Sequence, residues 1–238
     1  MGAAQVRVVR LGRTRYRECW DLQRALFARR AAGELTDLLL LTEHEHVYTL
    51  GTGSDVHHLL ASEAELSERG IDVVAVDRGG DITYHGPGQL VGYPLLDLHA
   101  YTRDLHWYLR RLEEVIIRVL EGFHVSGSRL EGYTGVWVGG EKICAIGIKA
   151  SRWITMHGFA LNVNTDLSFF DRIIPCGIFE RGVTSLQEVL GSAPPMHAVA
   201  SAVAGAFAEV FGRALTEGVL TEQDYQRGSL QDTADRRV

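Results

Sequence analysis

Lysine is nearly absent from this chain: of 24 basic residues only Lys142 and Lys149 are lysine, and the other 22 are arginine. Cysteine is scarce too. Cys19, Cys144 and Cys176 are odd in number and far apart, which argues against a disulfide framework and a zinc site and suits a reducing compartment. No run of like charges occurs, no basic stripe carries interleaved aromatics, and the net charge is −6, so nucleic acid is not expected as the main partner. No apolar run is long enough to span a bilayer, and Val6 breaks the myristoylation pattern. No membrane association is expected, and the cytoplasm is the simplest location.

What is present is 238 residues, 46% of them hydrophobic, enough for one sizeable core. A single domain over 1–228 is expected, with a polar tail at 229–238. The two lysines sit seven residues apart in EKICAIGIKA. Arginine matches lysine in charge and hydrogen bonding but cannot give up its proton at working pH, whereas lysine can. The segment reads as a strand after the turn signal Gly139-Gly140. Alternation places Lys142, Cys144, Ile146 and Ile148 on one face and Ile143, Ala145, Gly147 and Lys149 on the other. Lys142 is then either a partly buried, titratable amine or a lysine snorkelling from a strand start.

The other elements alternate helix and strand without repeats. A helix capped by Thr14 runs to about Arg30 and stops at Gly33. A buried strand follows at Asp37–Thr42, then VYTLG. A short helix spans Ser62–Arg69 and a strand Ile71–Val76. The longest helix opens at Thr102 and reaches about Phe123, a strand runs from Trp153 to Asn164, and a helix spans Met196–Phe211 after Pro194-Pro195.

Two segments stand out. Arg78–Pro94 reads RGGDITYHGPGQLVGYP, with five glycines and two prolines in 17 residues. That composition speaks against a regular helix or a central strand. A shaped loop that approaches a ligand closely is one reading, and a glycine-rich structural turn the other. Phosphate-loop and dinucleotide spacings are missing. The second segment is IIPCGI at 173–178, where Pro175 and Gly177 flank Cys176 in a turn. Cys19 and Cys144 fall inside periodic elements and read as small core residues. A thiol reacts as thiolate, and a nearby ammonium lowers its pKa. His44 and His46 alternate like metal ligands, but no third ligand stands near them, and no metal is expected.

EHEHVYTLG at 43–51, RGGDITYHGPGQLVGYPLLDL at 78–98, TGVWVGGEKICAIGIKASRWITMHGFALNVN at 134–164 and IIPCGI with the following VTSL together resemble the lipoyl/octanoyl transferases of lipoate biosynthesis. The one departure is His46, where a small residue is common. The resemblance implies an α+β fold of the biotin/lipoate protein ligase type (class II synthetase-like), a mixed β-sheet with packed helices. It implies Cys176 as the nucleophile that carries the acyl group as a thioester and Lys142 as its partner. It implies an acyl site formed by Arg78, Gly79, Gly80, Asp81, Ile82, Thr83, Tyr84 and His85, by Ala145, Ile146 and Gly147, and by Gly158, Phe159 and Ala160. His44, Tyr93 and His157 fall around that site.

The implied donor is octanoyl-acyl carrier protein. The implied acceptors are lipoyl domains of 2-oxoacid dehydrogenase E2 subunits and the glycine cleavage H protein, and no cofactor is needed. A thioester donor is already activated, so ATP has no part in the transfer, and thioester to amide is downhill. Backbone N–H groups near Gly147 and Gly158 are candidates for holding the oxyanion. Carrier proteins are acidic, and Arg10, Arg13, Arg15 and Arg17 offer one basic docking patch. The rival functions are an ATP-dependent lipoate or biotin ligase on the same fold, for which no adenylate-binding loop is found, and a non-catalytic acyl-binding protein.

Overall fold

A computed structural model describes residues 5–174, 182–221 and Asp224. In chain order the strands are β1 (Gln5–Thr14), β2 (Asp37–His44), β3 (Val47–Leu50), β4 (Asp72–Ala75), β5 (Thr83–His85), β6 (Gln89–Leu95), β7 (Ser128–Leu130), β8 (Tyr133–Val138), β9 (Glu141–Ser151), β10 (Ile154–Asn162) and β11 (Ala214–Gly218). The α-helices are α1 (Tyr16–Ala31), α2 (Glu63–Glu68), α3 (Leu105–Gly122), α4 (Leu186–Leu190) and α5 (Met196–Phe211).

An 8-stranded sheet runs β11-β1-β2-β6-β10-β9-β8-β7, and a 3-stranded sheet runs β4-β3-β5. In the large sheet β1 pairs in parallel with β11 and β2, and the ladder from β2 to β7 is antiparallel. Mixed pairing with helices on the sheet makes the fold α+β, as expected. The run Leu38–Leu41 shows how the layers form. Leu39 and Leu41 join the main core with residues of α3 and α5, while Leu38 and Leu40 join Cys19, Leu22 and Leu26 of α1 on the opposite face. A strand covered on both sides is apolar throughout, because every side chain has a layer to enter.

Local chemistry fixes most boundaries. Ser62 and Glu65 form a reciprocal capping box on α2. Asp104, rather than Thr102, opens the longest helix, since its Oδ1 accepts from His106 and Trp107 N–H at 2.8 and 3.2 Å. Thr14 ends β1, and α1 begins without a side-chain cap after Arg15.

The glycine-rich block 78–94 requires a correction. Its second half is β6, a central strand between β2 and β10, with Gly92 and Pro94 inside it. Gly92 is tolerated because the Phe159 ring occupies the space a Cβ would need. Pro94 is tolerated because the ladder is interrupted beside it. The β6–β10 pairing stops at Phe159 opposite Gly92 and Thr155 N–H bonds Leu96 O at 2.9 Å, while His157 N–H between them turns to Gln23 Oε1. A proline's missing N–H matters little where the ladder has no partner for it.

Candidate active site

The site is a cavity of about 510 Å³ on the α1 side of β9 and β10, roofed by the loop before β5. Arg78, Gly79, Gly80, Asp81, Ile82, Thr83 and His85 all line it, as do Ala145, Ile146, Gly147, Gly158, Phe159, Ala160, Tyr93 and His157. Two expected residues stand behind the lining. Tyr84 turns the other way on β5, into the small-sheet core, where it stacks on Phe169 at 4.7 Å and its hydroxyl meets His46 Nδ1 at 2.8 Å. His44 is fully buried, with Nε2 2.7 Å from the Tyr93 hydroxyl and Nδ1 3.1 Å from Thr14 Oγ1. It supports Tyr93 from below.

Lys142 lines the cavity with Ala145 and Gly147. The alternation that groups it with Cys144, Ile146 and Ile148 is overturned by a bulge. Trp137 faces Lys142 across the β8–β9 ladder, but the next residue on β8, Val136, faces Cys144. Ile143 is the extra residue, and Ile143 and Cys144 both enter the main core. A bulge shifts the side-chain phase by one residue, so Lys142 comes to the cavity face and Lys149 lies on the same side of the strand.

The Lys142 ammonium sits over the Trp137 ring, 4.9 Å from its centroid. A Cβ on Gly135 would lie 3.7 Å from both Cδ and Cε of Lys142 and only 2.6 Å from Cys144 O, and Gly135 adopts a φ of 127°. Only glycine lets β8 pass this close.

Cys176 lies outside the described residues. The residues on either side of that segment are held to the site. Ile174 N–H bonds His58 O at 2.8 Å, and His58 Nδ1 meets Asp81 Oδ2 at 2.6 Å. On the other side Gly182 and Val183 line the cavity. Lys142 N–H bonds Gly182 O, and Thr184 N–H bonds Lys142 O, each at 3.0 Å.

A chain of amides connects this end to the roof. Gln89 Nε2 donates to Asn162 Oδ1 at 2.9 Å and to Tyr84 O at 3.2 Å. Its Oε1 therefore accepts from His85 Nδ1–H at 2.7 Å, which leaves His85 Nε2 as an acceptor. Asn162 Nδ2 donates onward to Thr184 O at 3.0 Å. Burial holds both inner histidines neutral, His44 pushed down to about 4 and His85 to about 3. Burial likewise lowers the pKa of His157, against the pull of Asp77.

Gly147 and Gly158 face each other in the β9–β10 register. A Cβ on Gly147 would lie 2.9 Å from Gly79 O and 3.1 Å from Arg78 Cδ, and one on Gly158 would overlap Gly92 O. Both are glycine so that backbones can close on them. They stand at the end of the cavity away from Lys142.

Sequence reasoning passed over Gln89, Asn162, Trp137 and Asp77. Gln89 closes the HGPGQ run, and Trp137 lies across the Gly139-Gly140 hairpin from Lys142, so both were within reach of motif and hairpin pairing. Asp77 and Asn162 carry no comparable local mark. Among the described residues no cluster of His, Cys, Asp and Glu suits a metal ion, and no helix is long and apolar enough to cross a membrane.

A helix-backed mixed sheet with a cavity on one face is the architecture of lipoate protein ligases. The chain superposes on lipoate-protein ligase A bound with ATP with a TM-score of 0.73 at 16% identity, covering 93% of this chain and 91% of that one. It also superposes on the bipartite lipoate protein ligase of Thermoplasma acidophilum with a TM-score of 0.75 at 17% identity, covering 92% and 89%. At such identities the likeness shows the fold alone. Residues 15–208 match the lipoyl protein ligase A/B catalytic domain, and the chain belongs to that family. Its relatives there include the octanoyltransferase of Rubrobacter xylanophilus, 56% identical over 203 residues and 84% of this chain and 91% of the relative. The octanoyltransferase of Gloeobacter violaceus is 52% identical over 206 residues, 86% and 90% of the two chains.

Proposed function

We propose that this chain is an octanoyltransferase. In this reading it moves an octanoyl group from octanoyl-acyl carrier protein, through a thioester on Cys176, to the ε-amine of a lysine on a lipoyl domain. The acceptors are the lipoyl domains of 2-oxoacid dehydrogenase E2 subunits and the glycine cleavage H protein. Half-identical octanoyltransferase relatives over most of the chain support the reaction class. The observation that carries the site is Lys142 at one end of the cavity, its backbone bonded to Gly182 and Thr184, just beyond the segment that contains Cys176.

The chemistry has two balanced halves. The Cys176 thiolate attacks the donor thioester carbonyl, a new C–S bond forms, the old one breaks, and the carrier thiolate leaves with the proton given up by the Lys142 ammonium, which becomes an amine. The acceptor amine then attacks the enzyme thioester, C–N forms, C–S breaks, and the amine proton ends on the cysteine sulfur. Lys142 serves both halves. As an ammonium it stabilises the thiolate, and as an amine it takes the proton from the attacking nitrogen and passes it to sulfur.

The test is intact mass after mixing with the carrier thioester. The enzyme should gain one octanoyl mass that hydroxylamine removes. Cys176→Ala should gain none, while Cys19→Ala and Cys144→Ala should still load. A hydroxylamine-labile adduct on Cys176→Ala sinks the assignment.

A further inference from the structure

Away from Lys142 the cavity lining ends at Ile148 and His157. Along β9 the lining runs from Lys142 to Ile148, and along β10 from Asn162 to His157. Ile148 and His157 are register partners, and nothing beyond them on either strand lines the cavity. Allowing for the bulge, Lys142 and Ile148 are five extended steps apart, ~16 Å at the usual rise of a strand. His157 is 1% exposed and is the last cavity side chain on β10.

His157 is aimed there by its backbone. It adopts a φ of 57° where the β10–β6 ladder is interrupted. Its N–H bonds Gln23 Oε1 of α1 at 3.1 Å. A left-handed conformation is unfavourable for a non-glycine residue, so the surroundings must hold it. Asp77 does so. One carboxylate oxygen accepts from His157 Nε2 at 2.7 Å and the other from Lys149 Nζ at 2.5 Å. Neither Asp77 nor Lys149 lines the cavity. Gly79 N–H, bonded to Ile148 O at 2.9 Å, closes the roof onto the same place.

We infer that His157 is the end stop for the acyl chain, and that Asp77 and Lys149 are positioning residues that fix its ring and so set the acyl length. The inference rests on the octanoyl-transfer reading and adds the element that measures the chain. A longer chain has to displace the ring. The ring is tied through its backbone to α1, through Nε2 to the loop before Arg78, and through Asp77 to β9. Lys149 then has a structural role, since its ammonium reaches the carboxylate that holds the stop.

The experiment measures acyl-enzyme formation by intact mass. The donors are carrier thioesters of octanoyl and of chains two carbons shorter and two and four carbons longer. Wild type should load octanoyl fastest. His157→Ala should raise loading of the longer chains relative to octanoyl by at least about 10-fold, the low end of what one methylene is worth in an apolar pocket. His157→Phe keeps a ring at the wall but loses the bond to Asp77, so it should shift the ratio less than His157→Ala. Asp77→Asn and Lys149→Met should shift the ratio the same way as His157→Ala, but less.

Equal loss at every chain length, with the ratio unchanged, would mean a merely structural residue and overturns the inference. If His157→Ala does not fold, Asp77→Asn and Lys149→Met decide, because they leave the lining intact, and an unchanged ratio in both overturns it. A wild-type enzyme that loads no chain of any length defeats the octanoyl-transfer reading and the end stop together, an outcome distinct from loading without discrimination.

Discussion

In the proposed mechanism Lys142 has two tasks that substitution can separate. Arginine keeps the positive charge but gives up no proton at working pH. In Lys142→Arg the thiolate should still be stabilised, so loading from the carrier thioester should survive in part. Transfer to the lipoyl domain should fall by roughly 10²–10⁴-fold, the range for a lost general base. Lys142→Met, with neither charge nor base, should lose both steps. Single-turnover loading and discharge, followed by mass, distinguish these outcomes, and full overall activity in Lys142→Arg would refute the two-task account. The buried histidines make a separate statement about pH. Unfolded imidazoles take up a proton below ~6.5, whereas His44 and His85 in the fold do so only near 4 and 3. Protonation therefore favours the unfolded chain, so stability is full above the unfolded pKa and is lost as pH falls toward the folded one. By pH 5 each histidine should cost on the order of 2 kcal/mol. Urea unfolding at pH 7 and pH 5 measures this, and a wild-type stability flat across that window contradicts it. His44→Asn should have a lower stability but a shallower slope.

At the scale of elements, the parts legible in the sequence were those whose pattern is local. Met196–Phe211 follows its proline signal to the residue, and the Ser62 capping box marks α2. The Leu38–Leu41 run declares a strand covered on both faces. The failures are cooperative features that no period describes. One extra residue at Ile143 reverses the phase of β9 and moves Lys142 to the cavity. β6 reads as a loop because Gly92 and Pro94 violate strand propensity, and what makes them acceptable lies in β10, more than sixty residues later in the chain: the Phe159 ring beside Gly92 and the interrupted ladder beside Pro94. β1 and β11 went unread as strands because arginine and threonine interrupt them and their pairing is with each other and β2. The candidate site was legible where it rests on a run of unusual residues, as from Arg78 to His85. It was not legible where it rests on pairing across elements. Gln89 and Asn162 meet only because β6 and β10 are neighbours, and the Asp77 carboxylate reaches His157 and Lys149 only because the loop before Arg78 folds over both strands.

For the molecule as a whole, the fold does not decide the energy source of the reaction. The same architecture superposes on a ligase bound with ATP, so the choice rests on the chemistry of the donor. An acyl group on a carrier thiol already has a good leaving group, and exchange onto a cysteine sulfur makes one thioester from another. Free octanoate has no such leaving group and needs activation. The net charge of −6 favours neither partner in bulk, and three of the four arginines offered as a docking patch are engaged locally. Arg10 pairs with Glu217, Arg13 with Glu43, and Arg17 donates to Val73 O. If an acidic carrier is the donor, as proposed, salt should slow loading by screening the attraction between them. The decisive comparison uses two donors with one acceptor. With octanoyl-carrier thioester and a lipoyl domain, removing nucleotide and chelating Mg²⁺ should leave the rate of octanoyl-lysine formation unchanged. With free octanoate, ATP and Mg²⁺, no product should form. Cys176→Ala should abolish the first reaction, because the activated acyl group then has no enzyme sulfur to receive it. If octanoate with ATP is instead the better donor, or if the carrier reaction stops when nucleotide is removed, the chain works as a ligase, and its cavity must then hold an adenylate as well as the acyl chain.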